Sequence, residues 1–291
     1  HSDTTDGATT FVDSSPSGHA ITASTVVHDT DQKKFGATSM FFDSGAAEQL
    51  KVSTSTDFDF GTGDFTIDLW SRIVGNGSNH TYCELGQYDD GILFRHSGLS
   101  SLKVYLNNVV PIDYTGTFSQ NTWYHLALVR SGTVGGTTTG TITLYVNGVD
   151  VANYASAHDI DFSGNTSASG SGNLQNDILI GRSNHSASQS AYGYIDEFRI
   201  SKVARWTSDF TPPARPYSTV NDEFFNDTVG ISNTGLTLSN STKETVSYIS
   251  STGNYASKIK TNSGRTGSAD LLFDWESQWN GTAVTRIRSF S

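Results

Sequence analysis

The chain has 291 residues, a formal net charge of −11 and a pI near 5.0. There is no basic stripe, which excludes a sequence-independent nucleic-acid binder; the apolar runs are too short to span a membrane; and the single cysteine, Cys83, excludes an intrachain disulfide and a multi-cysteine metal site. Hydrophobic residues make up 35% and aromatics 11%, while glutamate occurs at only six positions, so strands and turns are expected rather than helices.

In chain order, strands are predicted at 38–43 and 49–53. Next comes Phe65-Thr66-Ile67-Asp68-Leu69-Trp70, whose Phe65, Ile67 and Leu69 face one side. Strands at 92–95 and 101–106 follow. From Trp123 to Arg130 both faces are largely apolar, as in a central strand. Thr141 to Val146 then runs into Asn147-Gly148 and Val149-Asp150-Val151. An Asn-Gly pair between alternating runs predicts a two-residue hairpin, because both turn positions need φ > 0. That turn pairs Val146 with Val149 and Leu144 with Val151, and sets Tyr145 opposite Asp150 on the non-core face. Further strands are predicted at 177–181 and 193–200, and Gly/Ser-rich loops at 131–140 and 163–173. Many short strands with frequent turns predict a sandwich or barrel, with no helix longer than a turn or two.

Three of the five prolines fall in Thr211-Pro212-Pro213-Ala214-Arg215-Pro216. Proline cannot donate to a ladder, so this stretch ends the sheet. The expected organisation is one sandwich over 1–210, a connector at 211–216 and a smaller β-rich segment at 217–291, with strands near 246–249, 269–273 and 284–287. About 75 residues with few large apolar side chains are marginal alone. Packing against copies of itself, or further sequence, would complete that segment.

Asp196 is the most informative single residue. Strict alternation puts it on the face of Tyr194, Phe198 and Ile200, with Glu197 and Arg199 on the other. A carboxylate among apolar side chains must be paired with a cation or with hydrogen-bond donors. Ca²⁺ takes oxygen ligands and is one solution; backbone N–H groups are the other. Among the eight histidines no two have metal-ligand spacing on one strand, and His125 reads as structural. Glycoside hydrolysis needs two carboxylates across one bond. Asp57 and Asp59 have the spacing but sit beside Gly61-Thr62-Gly63, in a turn. There is no nucleophile elbow and no phosphate loop, so an enzyme is not expected.

The order of several stretches resembles a laminin G-like, concanavalin A-type jelly-roll domain of bacteriophage tail-fibre-like proteins. These are Asp6 to Ser15, Lys34 to Met40, Phe58 to Ile67, Trp123 to Ala127, Leu144 to Gly148, Tyr194 to Ile200 and Asp209 to Pro213. The resemblance implies two facing antiparallel sheets and, often, glycan binding. It also implies a structural Ca²⁺ at Asp196, with partner carboxylates from the amino-terminal segment, for which Asp3 and Asp13 are nominated.

Sugars stack on exposed aromatic faces and hydrogen-bond to amides and carboxylates. Tyr82, Tyr88, Tyr154 and Trp206 are the aromatic candidates, with Asn79, Asp89 and Asp90 as polar partners of the first pair. The resulting expectation is a non-catalytic adhesion module at a virion surface or extracellular. It would bind cell-surface glycan and be carried on a fibre as a homotrimer. The alternatives are a structural subunit that binds no sugar and a glycan-cleaving enzyme.

Overall fold

The computed structural model describes residues 4–44, 48–53, 55–75, 79–86, 91–106, 109–132, 140–155, 177–183 and 190–217, and five carboxy-terminal strands. The chain divides into two compact units, His1–Thr219 and Val220–Ser291.

The first unit is built from β1 (Ile21–Ser24), β2 (Val27–Asp29), β3 (Ser39–Asp43), β4 (Gln49–Val52), β5 (Phe65–Ile73), β6 (Asn79–Leu85) and β7 (Ile92–Ser97). It continues with β8 (Ser101–Leu106), β9 (Val109–Thr115), β10 (Trp123–Ser131), β11 (Thr141–Val146), β12 (Val149–Ala155), β13 (Ile178–Ile180) and β14 (Tyr192–Ser201). They form two seven-stranded sheets, ordered β1-β4-β13-β6-β7-β8-β9 and β12-β11-β10-β5-β14-β3-β2. Pairing within both is antiparallel, as in β5 with β10 and β7 with β8. The only helical element among the described residues is a 3-10 turn at Thr56–Phe58, capped by the Ser55 side chain.

The core lies between the sheets. Phe65, Ile67 and Leu69 of β5 meet Phe94 of β7, Leu102 and Val104 of β8, and Leu126 and Leu128 of β10. Each is essentially inaccessible, and each such side chain contributes about 1.5–3 kcal/mol on leaving water. Cys83 is a buried thiol within this core.

Three features depart from the expected alternation. The hairpin turn forms as predicted, with Asn147 at φ 50° and Gly148 at φ 80°, and Val146 pairs with Val149. A bulge between Leu144 and Tyr145 then moves Leu144 opposite Ala152 instead of Val151. Gly148 has a second reason to be glycine, since a Cβ there would lie 1.8 Å from the Phe210 carbonyl oxygen. In β14, a bulge between Asp196 and Arg199 places Glu197 at φ 53°. The extra residue inverts the alternation. Ile195, Phe198 and Ile200 pack on the core, whereas Tyr194 and Asp196 stand opposite Arg72 and Trp70 on the outward side. Asp196 therefore does not share a face with Phe198 and Ile200. In β6, a third bulge between Thr81 and Cys83 turns both Tyr82 and Cys83 inward.

The connector does not end the first unit. Tyr217, expected to open the second segment, hydrogen-bonds to Asp68 and Glu197 of the sandwich. Of the predicted loop at 131–140, residues 133–139 lie outside the described residues, as does all of the loop at 163–173.

In the second unit, β15 (Leu236–Ser239), β18 (Asp270–Asp274) and β19 (Val284–Ile287) form a three-stranded sheet. There, β16 (Ser247–Ser251) and β17 (Asn254–Lys258) form a hairpin.

Candidate functional site

The outward face of the second sheet has two halves. Over β10, β11 and β5, the chain covers itself. Ala127, Val129 and Tyr145 are buried beneath Trp206 and Phe210, whose rings stack 3.9 Å apart. Beside them lies Asp68, fully buried. Its carboxylate accepts two hydrogen bonds from Arg199, at 3.0 and 2.9 Å, and a third from the Tyr217 hydroxyl. His125 Nε2 is 3.5 Å away, and Arg199 lies 3.8 Å from the centre of the Tyr217 ring. Burial alone would raise the Asp68 pKa, but the Arg199 charge and these hydrogen bonds hold it well below the usual carboxylate range. Glu197, also fully buried, accepts the Tyr217 backbone N–H at 2.5 Å. Burial pushes its pKa up to about 7.

The other half is open. Registers across β2, β3, β14, β5 and β10 align Val27, Phe41, Tyr194, Arg72 and Trp123 in one row. All five are half-buried. The Phe41 and Tyr194 rings are 4.9 Å apart, those of Tyr194 and Trp123 6.5 Å, and the Arg72 guanidinium lies 5.6 Å from the Tyr194 centroid. Burial, together with the charges of Asp29 and Asp31, raises the Tyr194 pKa, with Arg72 opposing. Three partly exposed aromatic faces flanked by carboxylates and a guanidinium can stack on the C–H faces of a sugar while the charged groups meet its hydroxyls.

The outward face of the first sheet is largely polar, buried at Thr81, Arg95, Glu84, Leu93 and Tyr105 and more exposed toward Lys103 and Asp113. Its cross-strand rows are Asn79–Ser97–Ser101–Thr115 and Thr81–Arg95–Lys103–Asp113, with Glu84–Leu93–Tyr105 next. Arg95 donates to the Asn79 side-chain oxygen and to the Tyr105 hydroxyl. Lys103 pairs with Asp113 at 2.7 Å.

The nominated residues do not gather at one place. Tyr82 is in the core against Phe94, bonded to His96, and cannot meet a ligand at the surface. Trp206 is spent on Phe210 and His125. Tyr154 packs on the core edge. Asn79 alone stands on an outward face, beside Arg95. Tyr88, Asp89 and Asp90 lie outside the described residues.

Of the expected calcium ligands, Asp3 also lies outside them. Asp196 accepts backbone N–H groups of Lys34 at 2.9 Å, Phe35 at 3.1 Å and Glu197 at 2.9 Å. Burial raises its pKa against these bonds. Asp13 caps a turn, accepting from Ser15 and from the His19 N–H. N–H groups aimed at a carboxylate present positive dipole ends where a cation would sit, and no set of three His, Cys, Asp or Glu suited to a metal occurs among the described residues. Asp196 and Asp13 are thus each engaged with N–H donors.

The aromatic row escaped sequence reasoning because aromatics were sought on loops, and strict alternation tied Tyr194 to the core-facing Phe198. The polar rows were more legible. Ser101-Leu102-Lys103-Val104-Tyr105-Leu106 alternates strictly, and Lys103 and Tyr105 emerge on its outer side.

The family described as the concanavalin A-like lectin/glucanases superfamily matches residues 44–209, more than half of the chain, and the chain belongs to that family. No curated protein sequence matches the chain. Similar solved structures include a proposed carbohydrate binding protein from Bacteroides ovatus ATCC 8483, at 22% identity and TM-score 0.41, covering 54% of this chain and 42% of that one. Another is domain 4 of AbnA, a GH43 extracellular arabinanase from Geobacillus stearothermophilus, in complex with arabinotriose. It has 15% identity and TM-score 0.43, covering 64% of this chain and 83% of that one. A third is the Ruminococcus gnavus IT-sialidase CBM40 bound to α2,3 sialyllactose, at 12% identity and TM-score 0.39, covering 54% and 91%.

Proposed function

We propose that the protein is a non-catalytic carbohydrate-binding module whose principal contact is the row Phe41, Tyr194, Arg72 and Trp123. The supporting observation is that these aromatic faces remain half-exposed in a line across a rigid sheet, whereas comparable rings elsewhere on that sheet are covered by Trp206 and Phe210. Strand-borne rings lose little freedom on binding, which favours a shallow, preorganised site. The family to which the chain belongs includes lectins and glucanases.

Binding without turnover is the better reading. Asp68 and Glu197 have pKa values pushed in opposite directions, the division of labour a hydrolase uses. Both are fully buried around Tyr217, so no substrate reaches them.

The finer reading places the module at a virion surface, on a tail fibre, as a homotrimer; the resemblance of the sequence stretches supports it. Weak single sites become strong when several copies face one surface. Light scattering on the full chain checks the assembly, a threefold mass being expected and a monomer at micromolar concentration opposing it. Calcium at Asp196 is a further proposal carried by the same resemblance, and the three N–H partners weigh against it. A melting temperature that falls with EDTA would favour the ion; an unchanged one would favour the N–H groups alone.

A glycan-array screen of the full chain, repeated with Trp123→Ala and Tyr194→Ala, tests the main reading. Saturable binding to a defined sugar, weakened about tenfold or more by either change, is expected. Binding untouched by both would place the site elsewhere.

A further inference from the structure

On the outward face of the first sheet, Arg95 makes no direct ion pair among the described residues, although the Asp113 carboxylate in its row feels its charge. Arg95 is only 9% exposed, and a buried cation ordinarily sits against a carboxylate. Here its guanidinium donates to the neutral Asn79 side-chain oxygen and the neutral Tyr105 hydroxyl, and lies 5.0 Å from the Tyr105 ring centre. No ion pair joins Arg95 to a carboxylate among the described residues. The Asp113 carboxylate in the same row is taken by Lys103 at 2.7 Å and by the Ser101 hydroxyl at 2.5 Å.

Two donors point to what is missing. Arg95 Nε is buried and lacks a hydrogen-bond partner. The hydroxyl of Thr81, directly opposite Arg95 in register and fully buried, lacks one too. A guanidinium carries five N–H donors in a rigid fork suited to two oxygens of one anionic group. With its oxygen committed to Arg95, Asn79 has its amide N–H₂ as its remaining donor, and Lys103 follows Arg95 across the next strand. The chain as a whole is acidic at −11, so no diffuse field would draw anions here; a site of this sign must be local and built from specific donors.

We propose that Arg95, Asn79 and Lys103, with Thr81 beneath them, form a second binding site, on the opposite side of the sandwich from the aromatic row, for the anionic group of an acidic polysaccharide, which meets the partly exposed Lys103 and Asn79 and the accessible edge of Arg95. The anion gives Arg95 a direct ionic partner, and Tyr105, bonded to the guanidinium, fixes its orientation. Carboxylate and sulfate share the needed chemistry. This site does not depend on the aromatic row, and each can fail alone.

The test is calorimetric titration of the full chain with polygalacturonate, dextran sulfate, neutral dextran and polyglutamate, at low and at raised salt. Saturable, salt-weakened binding to polygalacturonate or dextran sulfate is expected, with none to neutral dextran. The two acidic polymers separate carboxylate from sulfate as the recognised group. Arg95→Gln should weaken that binding about tenfold or more, while Val149→Ala, at an exposed position outside both sites, leaves it unchanged. If Arg95→Gln does not fold, Lys103→Gln, at a half-exposed position, should still weaken it severalfold. Equal binding to polyglutamate would overturn the saccharide assignment. No binding to either acidic polysaccharide, or binding indifferent to both substitutions, would overturn the site.

Discussion

The two halves of one sheet face carry similar side chains to different ends. Around Asp68, rings and charges are locked together by the chain's own Trp206, Phe210 and Tyr217. Around Tyr194, rings and charges of the same kinds stay half-exposed. Composition does not separate the halves; occupancy does. Where residues 203–217 fold back, tied to the sheet by Thr66 to the Val203 carbonyl and by the Phe210 N–H to Gly148, the Asp68 carboxylate and the Arg199 guanidinium become structural against Tyr217. Where they do not reach, an aromatic row is left for a partner.

The contrast can be broken at its closed end. Asp68→Ala leaves the half-buried Arg199 beside Tyr217 without its main partner, and should cost about 3 kcal/mol. Urea unfolding measures this, and a loss below about 1 kcal/mol would mean that the cluster is not an anchor. Trp206→Ala removes a large ring from the cover and should cost about 3 kcal/mol or more. It should also raise amide exchange at Ala127 and Val129, which a rigid cover independent of Trp206 would not do.

Glu197→Gln sharpens the same region through pH. Burial raises the folded-state pKa to about 7, above the unfolded value of about 4.3. Between those values the folded state binds the proton that the unfolded state has lost, so this group makes stability fall as pH rises from about 4.3 to about 7 and changes nothing above. The difference between wild type and Glu197→Gln should therefore grow in the variant's favour over that window. His96 works in the opposite sense, since burial lowers its pKa to about 3, so acidification from about 6.5 downward destabilises. Comparing the two proteins at each pH cancels the histidine contribution. A pH-independent difference would oppose the assignment of a raised Glu197.

The smallest expected effect on folding is at the open end. Trp123→Ala should change stability by only about 1 kcal/mol, because its ring is half-exposed and outside the core. A loss comparable to Trp206→Ala would make the row part of the fold and remove the distinction between the halves.

Much of the sandwich was legible because short apolar and aromatic runs at 38–43, 65–70, 101–106 and 123–130 mark strands, and Asn147-Gly148 fixes its hairpin by backbone sterics. The bulges were not. One extra residue at Glu197 reverses every facing after it, and nothing in Tyr194 to Ile200 announces a positive φ at a glutamate. β6 was missed for a similar reason. His80, Thr81, Tyr82, Cys83 and Glu84 do not alternate, since a bulge sends Tyr82 and Cys83 the same way. The candidate site suffered most. Trp206 and Tyr82 have the composition of ligand-binding aromatics, and only the long-range return of the chain and the inward bulge show that they are packed. Asn79 stands on an outward face, but its partner Arg95 lies on the next strand, a relation that only pairing reveals.

The central claim is that the exposed row, not the covered one, is the binding surface. Its most direct test is calorimetric titration of the full chain, wild type and Trp123→Ala, with the best neutral glycan from the array. The account predicts saturable binding in the wild type and a Kd about tenfold or more weaker in the variant, with both proteins equally folded by circular dichroism. Identical affinities in two equally folded proteins would contradict it.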